Sequence, residues 1–101
     1  MKEAVTWIDS HAHLTMFPKD EVCGVLDRAA SAGVFGVLVP ATGREDLESA
    51  LDLADAFPGR VVAAAGAHPH EAATLDNSLK KEIERSLGRP GVVAVGEIGL
   101  D

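Results

Sequence analysis

Four short apolar runs, Val5 to Ile8, Val34 to Val39, Val61 to Ala65 and Val92 to Val95, recur roughly every 25 to 30 residues, the length of one strand-and-crossover unit. Each run is continuous rather than alternating, which is the pattern of strands buried on both faces. The segments between them carry a helical period. Val22, Val25, Leu26 and Ala29 stand at i, i+3, i+4 and i+7, and this pattern stops near Gly33. Leu47, Ala50, Leu51 and Ala54 repeat it before Phe57, Pro58 and Gly59 break the chain. Leu75, Leu79, Ile83 and Leu87 lie four apart, with Asp76 or Asn77 as the N-cap and Gly88 and Pro90 as the stop. Cys23 falls inside the first helical pattern and is expected in the core. The order is βαβαβαβ: an α/β chain of parallel strands covered by helices, forming one domain over residues 1–101. A doubly wound open sheet and the opening of a (β/α)8 barrel share this start, and periodicity does not separate them. The barrel is favoured by where the polar residues fall. His11, His13, His68, His70 and Glu97 all sit at or just beyond the C-terminal ends of strands, the end at which such folds carry function.

With 101 residues, 47% of them hydrophobic, the chain can bury a modest single core. No run of about 18 apolar residues is present, so no membrane-spanning helix is expected. The opening MKEAVTW lacks the apolar region of a secretory signal, which leads us to expect a soluble, cytoplasmic chain. The single cysteine excludes an internal disulfide. A net charge of -7 argues against general nucleic-acid binding, since such binders display a basic stripe. Bound divalent cations would reverse that argument locally, because their own charge dominates a carboxylate-lined site.

His11 and His13, in W-I-D-S-H-A-H-L, are two apart, so in extended backbone both imidazoles point to one side and can meet one ion. They serve equally well as solvated strand-end residues. Glu97, in V-V-A-V-G-E-I-G-L-D, follows the fourth strand between Gly96 and Gly99, which permit a turn or a close approach. It is a solvated carboxylate, a helix-capping group, or, if it faces the two histidines, a carboxylate able to bridge two cations. A-G-A-H-P-H ends the third strand with His68 and His70, and Pro69 between them holds His68 extended. That pair could bind metal, donate hydrogen bonds to phosphate, act as a general acid, or sit exposed in a turn. Asp9 and Asp101 are further candidates, Asp9 as a carboxylate that orients a ligand histidine. Gly43 and Arg44 could form an anion-recognising loop after the second strand or simply start a helix. There is no G-x-S-x-G elbow, phosphate-binding P-loop, C-x-x-C or G-x-G-x-x-G.

Taken together, D-S-H-A-H-L, A-G-A-H-P-H and V-G-E-I-G-L-D, in this order, resemble the TatD-type metal-dependent deoxyribonucleases, a family within the amidohydrolase-like barrels. The resemblance covers essentially the whole chain but only the front portion of a family member. It implies a (β/α) barrel of which the first four strands and three helices are present, a half barrel. It implies that His11 and His13 bind one divalent ion, that Glu97 bridges it to a second, and that His68, with less support for His70, lines the substrate pocket. The two ions would be magnesium, manganese or zinc. The implied reaction is hydrolysis of a DNA phosphodiester, or a related one, by metal-activated water. Two further histidines and a late-strand aspartate, the general base of the pattern, lie beyond this stretch, so the 101 residues alone are expected to be inactive. Another amidohydrolase-like or phosphoesterase barrel, or a non-catalytic metal- or partner-binding module, remain alternatives. Four strands of a barrel leave two open edges and an apolar inner face, from which self-association is expected.

Overall fold

The computed structural model describes residues 5–100. The elements run β1 (Trp7–Asp9), α1 (Val22–Ser31), β2 (Val34–Pro40), α2 (Arg44–Ala56), β3 (Val61–Ala65), α3 (Asn77–Ser86) and β4 (Val92–Val95). Short 3₁₀ turns occupy Leu14–Met16, Lys19–Glu21 and Pro69–Thr74. All four strands are parallel and lie in the order β1-β2-β3-β4. A doubly wound sheet reverses its order at a switch point; this one advances in a single direction, as the wall of a barrel does.

The core lies between the sheet and the helices. Val37, Val39 and Ala41 from β2 and its exit, with Val61, Ala63 and Ala65 from β3, meet Val22 and Leu26 of α1, five residues of α2, and Leu79 of α3. These strand residues share one parity, so a single face of each pleat is buried against helix. Of the opposite parity, Leu38 and Val62 are only half-buried, and burial on that face is confined to Pro40 and Ala64 near the strand ends. Gly91 permits close packing of β4 against α2, since a Cβ there would come 2.8 Å from that of Ala54.

Three expectations need correction. Cys23 is exposed, not core: Val22 and Leu26 take the inward positions of α1, and Cys23 is turned outward, its Sγ 3.9 Å from the Asp27 carboxylate one turn on. Leu75 drops out of the apolar stripe of α3, because Asp76, one of the two N-caps expected, adopts extended backbone (φ -100°, ψ 179°) and caps the helix by accepting from the Leu79 amide. The apolar stripe of α3 is thereby shortened to Leu79 and Ile83, with Leu87 41% exposed at the C-cap. Strand β1 is shifted along the chain: its pairing starts at Trp7, whose N–H donates to Gly33 O at 2.9 Å, and continues through Asp9.

Candidate metal centre

The C-terminal ends of the strands are tied together by backbone hydrogen bonds that run from each exit segment to a neighbouring one. After β1, the Asp9 carboxylate accepts from the His11 N–H (3.0 Å), and the Ala12 N–H donates to Leu38 O in β2 (3.2 Å). His11 and His13 therefore flank a residue pinned to the sheet. After β3, the His68 N–H donates to Thr42 O (2.7 Å); after β4, the Gly96 N–H donates to Ala65 O and the Glu97 N–H to Ala41 O, each at 2.9 Å. Gly66 makes the last of these approaches possible. A Cβ there would lie 2.6 Å from Glu97 O and from the Gly96 carbonyl carbon, whereas one on Gly96 would make only an ordinary contact with Ala64. The close approach expected of Gly96 thus belongs to Gly66, one strand away.

These ties bring His11, His13 and Glu97 together. His11 Nε2 and His13 Nε2 are 3.1 Å apart, and Glu97 Oε2 lies 3.2 Å from the latter and 3.8 Å from the former. Ligand nitrogens and oxygens at about 2.1 Å from a tetrahedral ion are about 3.4 Å from one another, and the three separations bracket that value. Glu97 Oε2 is buried and makes no hydrogen bond. Buried acceptors in folded proteins nearly always have a partner, and an unpaired one calls for an explanation such as an ion. Two imidazoles and a carboxylate form a mixed N/O donor set that suits a divalent transition ion, so the residues fit a metal on geometry and on chemistry. Among the described residues this is the one group of three such side chains that converges.

His68 stands beside the group, its Nε2 3.7 Å from Glu97 Oε1. The His70 backbone N–H donates to His68 Nδ1 at 3.0 Å, so that nitrogen keeps its lone pair and the neutral ring carries its proton on Nε2. His68 consequently presents a hydrogen, not a lone pair, toward the centre. Of the roles left open by the sequence, this favours hydrogen-bond donation over both metal ligation and acid catalysis, which would need a proton on the Nδ1 that the His70 N–H occupies. The His70 ring packs edge-on against it, with centroids 4.6 Å apart. His13, Thr42, His68, His70, Glu71 and Glu97 line an open cleft of about 310 Å³.

The remaining candidates separate. The Asp9 carboxylate meets the His11 backbone rather than either imidazole, and so shapes the loop instead of a ligand ring. Arg44 turns away from the cleft to Asp76 (2.6 Å) and Glu82 (3.8 Å), joining α2 to α3 at the start of its helix. Asp101 lies outside the described residues. Sequence reasoning passed over Thr42, Glu71 and Asp46; the last carried a readable signal, an acidic residue three positions into a helix, where side chains reach back to free N–H groups.

A model of the TatD related DNase family matches residues 8–101. The chain belongs to the TatD family. Among TatD relatives, the 3'-5' ssDNA/RNA exonuclease TatD of Musicola paradisiaca is 44% identical over 77 residues, covering 76% of this chain and 29% of its own. A protein of Mycobacterium tuberculosis described as an uncharacterized metal-dependent hydrolase TatD is 40% identical over 99 residues, covering 93% of this chain and 36% of the relative. The crystal structure of a TatD homologue from Escherichia coli superposes with a TM-score of 0.82 at 38% identity, over 94% of this chain and 38% of that one. A TatD family hydrolase from Entamoeba histolytica gives the same TM-score, 0.82, at 24% identity, which bears on the fold alone. The parallel sheet and its helices are thus a partial (β/α) barrel of the TatD type, and the chain spans about a third of the length of the curated relatives it matches. No helix among the described residues is long and apolar enough to cross a membrane.

Proposed function

We propose that this chain supplies the opening half of a nucleic-acid phosphodiesterase barrel, with His11, His13 and Glu97 as metal ligands and His68 as a substrate-facing donor. The observation that carries the reading is the buried, unpaired Glu97 Oε2 facing two imidazole nitrogens. The named activities of the relatives, single-stranded DNA and RNA exonuclease and metal-dependent hydrolase, supply the substrate class: a DNA or related phosphodiester. The reading extends to two cations that Glu97 would hold between them, since its Oε2 faces His11 and His13 while its Oε1 lies on the His68 side of the cleft. When bound, a divalent ion would acidify water and neutralise charge on the phosphoryl oxygens.

The chain's own residues then divide the work. Leu38 O and Ala41 O hold the backbones of Ala12 and Glu97, so the ligand side chains are preorganised before an ion arrives. His68 Nε2–H, held in that tautomer by the His70 amide, can donate a hydrogen bond to a phosphoryl oxygen in the same cleft. The local negative field of Glu97, repulsive to a phosphodiester, is offset only when cations occupy the centre. The 101 residues alone are expected to bind metal without turnover, and to self-associate through the edges of β1 and β4.

Two experiments test the reading. Calorimetric titration with Zn²⁺ and Mn²⁺ should show saturable binding that His11→Ala, His13→Ala or Glu97→Ala removes. A chimera in which this chain replaces the matching segment of a TatD relative should degrade labelled single-stranded DNA in preference to phosphomonoester and amide substrates. Unchanged metal uptake in all three variants, or a chimera that hydrolyses only an amide, would overturn it.

A further inference from the structure

We infer that Asp46, which is neither a metal ligand nor itself a lining residue of the cleft, is the positioning residue of this centre. It acts by locking the β2–α2 exit loop onto which His68 and Glu97 are hung, and the inference rests on the metal-centre reading above. The Asp46 side chain is half-buried and satisfies three donors of one short loop. Its Oδ1 accepts from the backbone N–H groups of Thr42 (2.8 Å) and Gly43 (3.1 Å), and its Oδ2 from the Thr42 hydroxyl (2.7 Å). Hydrogen bonds to a charged acceptor are about twice as strong as neutral ones, and three of them fix both the position and the plane of the Thr42 peptide.

What that loop offers to the rest of the molecule is a pair of carbonyls. Ala41 O accepts from the Glu97 N–H and Thr42 O from the His68 N–H. Glu97 arrives from β4 and His68 from the exit of β3, so residues from two strands take their height and direction from one loop, and that loop takes its own from Asp46. A helix-starting carboxylate ordinarily caps its helix and does no more. Here the capped amides belong to the same residues whose carbonyls, or whose neighbours' carbonyls, carry the site. Groups of this kind that orient ligands from outside the coordination sphere change metal affinity by about 10- to 100-fold when removed.

Asp46→Ala in the 101-residue chain, compared with Asp46→Asn, is the test. Zn²⁺ affinity, measured by calorimetry, should fall about tenfold in D46A. Amide hydrogen exchange should accelerate selectively at His68 and Glu97, while Ala63, whose N–H donates to Gly91 O away from the loop, stays protected. Asparagine should restore both readouts: its amide oxygen accepts from the two N–H groups, and its NH₂ donates to a Thr42 hydroxyl that can also accept. Should D46A fail to fold, Thr42→Val removes only the hydroxyl leg and is expected to give the same local pattern at smaller amplitude. Faster exchange confined to the first turn of α2, or spread evenly over the sheet, would mean that Asp46 merely caps its helix or stabilises the fold, and would overturn the proposal. So would a D46A chain with wild-type affinity, provided His13→Ala still abolishes binding. A wild-type chain that takes up no Zn²⁺ and is indifferent to His13→Ala would instead sink the metal-centre reading, and this proposal with it.

Discussion

The Glu97 carboxylate is the group whose burial weighs most on the fold and on the proposed metal centre alike. An unsatisfied buried polar atom costs about 1–3 kcal/mol, and Oε2 is such an atom. Glu97→Gln removes the charge and supplies donors toward the neighbouring imidazole, so the metal-free variant should melt at or above the wild-type temperature. Saturating Zn²⁺ should separate the two in the opposite sense. At free metal about 100-fold above Kd the wild type gains about 2.7 kcal/mol, and the variant should gain little; equal metal-induced shifts in a melting experiment would remove Glu97 from the ligand set. His11 and His13 were legible as candidate ligands because strand-end placement and i, i+2 spacing are local properties, visible without knowledge of the fold, whereas Glu97 joined them only through the family resemblance. Gly66 was not legible, since it matters only through the Gly96–Glu97 backbone that strand pairing brings close; Asp46 was readable as an acid at the start of a helix, but not what the loop it holds offers to residues from two other strands. Cys23 was misread for a related reason, as one helical stripe has room for Val22 and Leu26 but not for their neighbour a third of a turn away.

Among the elements, α3 is held by the least core and depends most on single residues. Leu79 is its one fully buried large side chain, and its amide donates to the Asp76 cap at 2.8 Å. Leu79→Ala should cost about 2–5 kcal/mol, a large part of the 5–15 kcal/mol expected for a whole domain, and a shift in urea midpoint without a change in slope would measure it. The cap makes the same helix sensitive to acid. The Leu79 N–H, and then the Arg44 guanidinium, hold the Asp76 carboxyl below its ordinary 3.8 despite some desolvation that opposes them. A carboxyl whose pKa is lower folded than unfolded adds stability that is complete above 3.8 and disappears as pH falls through the folded value. Asp76→Ala should therefore lower the melting temperature at neutral pH, and the gap from wild type should close once the pH is well below 3.8; a gap that persists there would show that the capping charge is not its source. The sequence displayed this cap but not its effect on register. Leu75 continues the four-residue spacing perfectly, yet the extended backbone of Asp76 ends the helix before reaching it, and a periodicity argument has no means of weighing one cap against one leucine.

At the scale of the molecule, the sheet has two open edges among the described residues. β1 and β4 each pair on one side only, and Trp7, Ile8, Phe35, Val93, Val95 and Ile98 are all more than half exposed, from 51% to 69%. The accessible surface is 6554 Å², against about 5400 Å² for a compact chain of this mass. That excess exceeds the roughly 800 Å² each partner buries in a stable association, so the 101-residue chain has the surface to associate and open strand edges to direct it. In a parallel sheet of this order, β4 of one copy can extend β1 of the next, a head-to-tail contact that closes only if the curvature allows and otherwise continues into larger assemblies. The chain contains a single tryptophan, Trp7, at the edge in question. Its emission should shift to the blue as concentration rises through the micromolar range, in step with an increase in mass by light scattering, and Ile8→Lys, a charge placed on that edge strand, should suppress both. A monomer with concentration-independent emission would mean that the exposed face is tolerated in water as it stands. The curvature of these four strands would then be a property of the segment itself, requiring neither a second copy nor further strands to hold His11, His13 and Glu97 in place.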